Sequence, residues 1–321
     1  MPLKQPSKEE IATRAYENWN GRGRGHGFDN VDWFTAAQQL IIEQNYTLVA
    51  SKNFDDSCEL DFDDSAGLKC RYCGKSEPEV TFNSVGHAIS RSWGANLISK
   101  DECDTCNHDF FNKYESIFGE WSLPLRRFMR TDGYEGPKPV LPADISVQPD
   151  GTKVFANTVD GIKDVCPNEA ILNPERVVMI LKILTKFGLA IMPPDLLSQF
   201  AETKNWILKQ DHTDNPDECC RLITFLSRVK AEQGHWQEGI SKIELYLANE
   251  NFPIHSGTLL CFRTGPLAFQ LPIPLSSTER LRHKSNTLPI PQFAKFDSSF
   301  GKPKIVHYRP FLIDQSMQVS S

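Results

Sequence analysis

Two C-x2-C pairs constrain this chain more than any other feature: Cys70-Arg-Tyr-Cys73 and Cys103-Asp-Thr-Cys106, with 29 residues between them. Four thiolates at two such spacings match a tetrahedral Zn²⁺ shell with metal–sulfur bonds of about 2.3 Å. The chain from 70 to 106 must therefore leave a point and return to it. A four-sulfur shell is closed, so the zinc expected here is structural and its binding energy is folding energy, ~10–16 kcal/mol in small zinc peptides. The other five cysteines, Cys58, Cys166, Cys219, Cys220 and Cys261, have no ligand spacing. They read as small buried hydrophobes of a reducing compartment.

Around the clamp the sequence predicts an α+β chain in several parts. Residues 1–50 form a helical hairpin. Its first helix, 8–20, has Ser7 as N-cap and Glu10 as capping-box partner, with Ile11, Ala15, Tyr16 and Trp19 on one face. A turn with four glycines, Gly21 to Gly27, stops it, because glycine is a poor helix former. The second helix, 31–44, turns Trp33, Ala37, Leu40 and Ile41 to one side. An acidic stretch, 51–66, reads as a linker. The metal module covers 67–120, with strand character at 79–84. A helix starts at Asp104 or Thr105 and runs through Phe118, burying Phe110, Phe111, Tyr114 and Phe118. A C-terminal α+β domain spans 121–315. It is expected to hold a hairpin about Pro149-Asp150-Gly151 and a core helix from Asn173-Pro174-Glu175 to Ile191. Further helices are expected at 195–209 and 218–230, and antiparallel strands at 240–247, 258–262 and 268–273. Residues 316–321 read as a frayed tail.

The hairpin resembles a small bacterial family of unknown function, on Ile11 to Leu40, and that resemblance implies no chemistry. The clamp with His87 between its pairs and Asn107 directly after it resembles the HNH endonucleases. That resemblance implies a ββα-metal fold, two short strands and a helix held by zinc. It assigns Cys70, Cys73, Cys103 and Cys106 to the clamp and His87 to the general base. Asn107 becomes a ligand of a catalytic Mg²⁺ or Mn²⁺, and Asn96 the residue that ties down the loop and orients the histidine. Arg91, Ser92, Trp93 and Gly94, with the run from Asp101 to Asn107, resemble a bacterial subgroup of standalone HNH proteins.

The residue types suit phosphodiester hydrolysis. A neutral imidazole can take a proton from water near pH 7, and a hard dication can neutralise phosphate oxygen charge. Two departures stand out. Many family members place an acidic metal ligand before the histidine, where this chain has Gly86, and a proline three residues after it, where this chain has Ser90. Glu115 is the first candidate for the missing carboxylate and His108 the second. Eight residues separate Glu115 from Asn107, a helical rise of ~12 Å, which argues for water mediation. Arg91, Lys100, Lys113, Arg126, Arg127 and Arg130 surround the module in sequence as candidate phosphate contacts.

The expected activity is metal-dependent endonuclease cleavage of DNA; the pattern does not choose between DNA and RNA. By analogy the setting is bacterial defence against phage. The rival is a zinc-stabilised nucleic-acid- or partner-binding module with a degenerate nuclease core. Net charge is −6, which argues against a protein that coats nucleic acid and points to an activating partner or homo-oligomer. No apolar run reaches the ~20 residues a membrane helix needs. The longest, Val177 to Met192, is interrupted by Lys182 and Lys186. The first residues have no apolar signal core, so a cytoplasmic location is expected.

Overall fold

The computed structural model describes residues 4–21, 23–24, 29–54, 67–129, 145–147, 153–155, 173–212, 223–226, 241–249, 257–264 and 267–273. Helices α1 (Lys8–Gly21) and α2 (Asp29–Asn45) form the hairpin. The capping box closes as expected: Glu10 N donates to Ser7 Oγ at 3.2 Å and Ser7 N to Glu10 Oε2 at 2.7 Å. Much of the helix contact is polar. Arg14 grips both carboxylate oxygens of Glu43, at 2.7 and 2.9 Å, and Asn18 meets Gln39. No α1 residue is buried, and Tyr16 is 60% exposed, so it lies outside the contact face.

The chain leaves α2 directly into β1 (Tyr46–Asn53), an edge strand of a five-stranded antiparallel sheet. Its neighbours follow in the order β7 (Lys242–Ala248), β8 (Thr258–Thr264), β9 (Leu267–Ile273) and β6 (Ile223–Leu226). Two corrections follow. Residues 51–53 are strand and Phe54 is buried, so the predicted linker begins no earlier than 55; residues 55–66 lie outside the described ones. A helix was expected over 218–230, yet Ile223–Leu226 pairs with β9. Its Ile, Thr and Phe are residues that a pleated surface favours. The short hairpin of β4 (Ile145–Val147) and β5 (Lys153–Phe155) forms as predicted, its turn residues and the tail from 316 lying outside the described set.

Helix α4 (Pro174–Ile191) is the axle of the fold. Asn173 caps it by accepting from Arg176 N at 2.9 Å, with Pro174 in the first turn. Every residue from Val178 to Met192 is buried, the two lysines included. Gly188 lets β9 come close: a Cβ there would lie 2.2 Å from Ile273 Cδ1. After α4 come the short α5 (Pro194–Leu197) and α6 (Ala201–Ile207), breaking the predicted 195–209 helix at a 3-10 turn. Among the described residues no helix is long and apolar enough to cross a membrane.

One apolar core joins the cysteine module to α4 and the sheet. Trp93 stacks on Phe118 at 5.6 Å and meets Phe262 of β8 edge-on at 5.3 Å; Phe262 also meets Phe54 and Phe187. Cys261 is buried, as its lack of ligand spacing predicted; Cys58, Cys166, Cys219 and Cys220 lie outside the described residues.

Arg71, inside the first cysteine pair, locks the module to the end of α4. Its Nε meets Asp101 Oδ2 at 2.7 Å, and its Nη1 donates to the carbonyls of Leu189 (3.0 Å) and Ala190. A cation on the last carbonyls of a helix also suits the helix dipole. Arg71→Met is expected to lower stability by about 3–5 kcal/mol, because it leaves buried Asp101 without its partner. A urea midpoint unchanged from wild type would contradict this lock.

Candidate functional site

The four sulfurs meet. Cys70 Sγ lies 3.8 Å from Cys106 Sγ, Cys73 Sγ lies 3.7 Å from Cys103 Sγ, and all four are within 4.8 Å of one another. A tetrahedron with bonds of about 2.3 Å has edges of about 3.8 Å, so the spacing fits zinc. The first pair sits on a tight turn, with Cys70 N donating to Lys75 O, Gly74 N to Cys70 O, and Gly74 at φ +73°. A left-handed residue at that place favours glycine. All four cysteines are free thiols. Burial pushes the Cys103 thiol up to about 12, while the hydrogen bond shared with Cys106 draws Cys70 down to about 5. Four thiolates this close repel one another unless a cation neutralises them, which is what a dication would do here.

Between the pairs lie two very short antiparallel strands, β2 (Gly86–His87) and β3 (Ile98–Ser99), paired Gly86 to Ser99 and His87 to Ile98. The helix that follows starts at Asp104, makes a π-helical turn at Cys106–Phe111 and continues as α3 (Asn112–Met129), well beyond the predicted end at Phe118. A strand at 79–84 does not form. Those residues instead wrap the helix start: Asp104 accepts from the backbone N–H groups of Asn83 (3.0 Å) and Ser84 (2.7 Å), and from the hydroxyls of Thr81 and Ser84. Hydrogen bonds from Ser84 and Thr81 hold this carboxyl well below the usual carboxylate range. A carboxylate some twenty residues away has overridden a strand pattern.

His87 closes β2 and is half-buried. Burial, then the Arg91 and Lys186 charges, hold its imidazole below the ordinary 6.5, so it is neutral at neutral pH. Asn107 stands one residue past the last cysteine. Its Nδ2 donates to Ser84 Oγ at 3.3 Å, two residues before β2, and its Oδ1 has no hydrogen-bond donor among the described residues. Asn96 is brought in through its backbone, N–H to Phe54 O at 3.0 Å, while its side chain is exposed. Arg91, Lys100 and Lys113 are exposed, and so is His108, which contacts Asn112. Arg126 and Arg127 ride on α3; their side chains and all of Arg130 lie outside the described set.

Two functional candidates were missed from sequence. Lys186 of α4 is wholly buried, and its ammonium donates to the His87 carbonyl. It also lies 3.0 Å from Glu102 Oε2 and 3.9 Å from Glu115 Oε1. Glu102 is wholly buried too, and burial raises its carboxyl to about 7 against the pull of Lys186. Neither carboxylate oxygen has a partner in hydrogen-bond geometry among the described residues, so the contact with Lys186 is a charge pair. The available signal was the pair Lys182 and Lys186 in an otherwise apolar helix, since a buried ammonium needs oxygen partners.

Glu102 also explains Gly86. A Cβ at position 86 would lie 2.8 Å from Glu102 Cβ and 2.9 Å from its Cδ. Gly86→Asp is therefore expected to lower stability by about 1–3 kcal/mol through overpacking, read from the urea midpoint. A variant as stable as wild type would contradict the close approach.

Residues 6–41, covering α1 and most of α2, match the family described as "Protein of unknown function (DUF2934)". No curated protein and no solved structure matches the chain.

Proposed function

We propose that this chain is a zinc-stabilised endonuclease of the HNH type, hydrolysing DNA phosphodiesters with a divalent metal. The observation that carries the reading is His87: a neutral, half-buried imidazole at the end of a two-residue strand, paired to a second strand and followed by a helix pinned by the cysteine cluster.

In this reading the cysteines only build the platform. His87 takes a proton from water as the water oxygen bonds to phosphorus; the scissile P–O bond breaks and the leaving oxygen takes up a proton. A divalent ion, when bound, would neutralise charge on the non-bridging and leaving oxygens. Asn107 Oδ1 and the Glu115 carboxylate are the oxygens this chain offers to hold it. Hard dications keep several waters, so two protein oxygens make a workable set. Arg91, Lys100 and Lys113 are exposed around the module and suit phosphate positioning without base readout.

The second reading, a zinc-stabilised binding module with a degenerate nuclease core, is favoured by Gly86 and by the ammonium of Lys186 among the carboxylates. Plasmid nicking with Mg²⁺ or Mn²⁺, comparing wild type with His87→Ala, separates the two.

A further inference from the structure

We infer that Lys186 and Glu102 form a positioning pair for His87, with Lys186 carried in on α4 and Glu102 filling the space a side chain at position 86 would need. The inference rests on the nuclease reading for its effect on rate, but not for its geometry.

Both side chains of the pair are 0% exposed, and their charges lie 3.0 Å apart. Withdrawing two charges from water is costly, and a well-packed apolar pair at such a place is often at least as stable. Stability alone therefore gives a poor reason for the pair. What the ammonium does and an apolar side chain could not is donate to the His87 carbonyl. It does so from a cage that leaves it little freedom, with the Phe111 ring 5.2 Å and the Tyr72 ring 6.0 Å away. β2 has only two residues, so its ladder does little to fix His87. A charge-assisted bond to the carbonyl supplies the missing restraint.

The lysine one turn earlier is an internal comparison. Lys182 is equally buried, yet its ammonium goes elsewhere: to Lys209 O at 2.6 Å, Asp211 O at 3.2 Å and His212 Nδ1 at 3.1 Å. It anchors the segment that follows α6. The two lysines thus share a helix face and differ in what they hold.

Position 86 and Glu102 exclude each other sterically. The acid of this site stands at Glu102, the residue before the second cysteine pair, and not on the strand. There it serves Lys186 rather than a metal, because its side chain is sealed from solvent, whereas that of Glu115 is 23% exposed and open to a hydrated ion. Metal holding is left to Asn107 and Glu115.

The test uses the full chain as the Glu102→Gln/Lys186→Met double variant, near-isosteric and without a stranded charge, beside Lys182→Met. The double variant is expected to fold, to keep its zinc, and to bind Mn²⁺ with wild-type affinity by electron paramagnetic resonance. Its kcat for plasmid nicking should fall about 10- to 100-fold with KM unchanged. The His87 carbonyl ¹³C resonance, assigned with His87→Ala, should move. Lys182→Met should lose stability yet leave that resonance and kcat in place. An unmoved resonance, or a double variant that nicks like wild type, overturns the inference. Loss of Mn²⁺ binding in the double variant also overturns it, and makes Glu102 a metal ligand. If wild type cleaves nothing, the nuclease reading fails, and the carbonyl resonance still decides the positioning.

Discussion

Removing the metal from the four-cysteine cluster is expected to unfold most of the described protein, and not merely to loosen a knuckle. Structural zinc contributes ~10–16 kcal/mol in small peptides, as much as the ~5–15 kcal/mol that holds a typical domain together. Cys70, Cys103 and Cys106 are buried in the core that also contains α4, Phe262 and the inner strands. The first pair carries Arg71, whose guanidinium holds the end of α4. Without the ion, four sulfurs within 4.8 Å must separate or stay protonated, and either choice disturbs that contact. A strong chelator, or Cys103→Ser, should abolish the near-UV circular dichroism of the buried tryptophans and collapse the urea midpoint. A chelated protein that keeps both would show that the cluster is ornamental.

The second large effect concerns His87. On the nuclease reading, His87→Ala should reduce kcat by about 10²- to 10⁴-fold, the usual loss for a general base. KM and zinc content should stay as they are, because His87 belongs to neither the clamp nor the phosphate-facing cations. The pH profile gives a second check. The base acts when neutral, and burial together with Arg91 and Lys186 lowers its pKa. Activity should therefore hold as pH falls through 6.5 and decline only below it. A profile whose acid limb lies above 6.5 would contradict the assignment. Cleavage unaffected by His87→Ala would overturn the mechanism, and a wild type inert with both Mg²⁺ and Mn²⁺ would favour the binding module.

What could be read in the sequence was local. The cysteine spacing, the Ser7–Glu10 capping box and the Asn173-Pro174 helix start each depend on residues within a few positions, and each forms as expected. Misreadings arose where distant partners decide. Thr81 and Ser84 look like strand residues until Asp104 gathers their hydroxyls. Ile223–Leu226 became strand because β9 offered an edge. Helical spacing from Asn107 singled out Glu115, but not its contact with Lys186, 71 residues further along the chain. Glu102 could not be singled out at all, because its partner and the space it fills belong to α4 and β2.

The pairing of β1 with β7 has a consequence for how the protein is made. Residues 54–241 separate the two strands. A ribosome adding about 5–20 residues per second takes about 10–40 s over that interval. During that time β1 has no partner, and the cysteine module is an insertion in a sheet that does not yet exist. His87 likewise emerges 99 residues ahead of the ammonium that meets its carbonyl. A product truncated before α4 carries all four cysteines and the histidine but lacks the support for both. Aborted translation should therefore release an inert fragment, and any nicking activity should appear only once the second half of the chain has been synthesised.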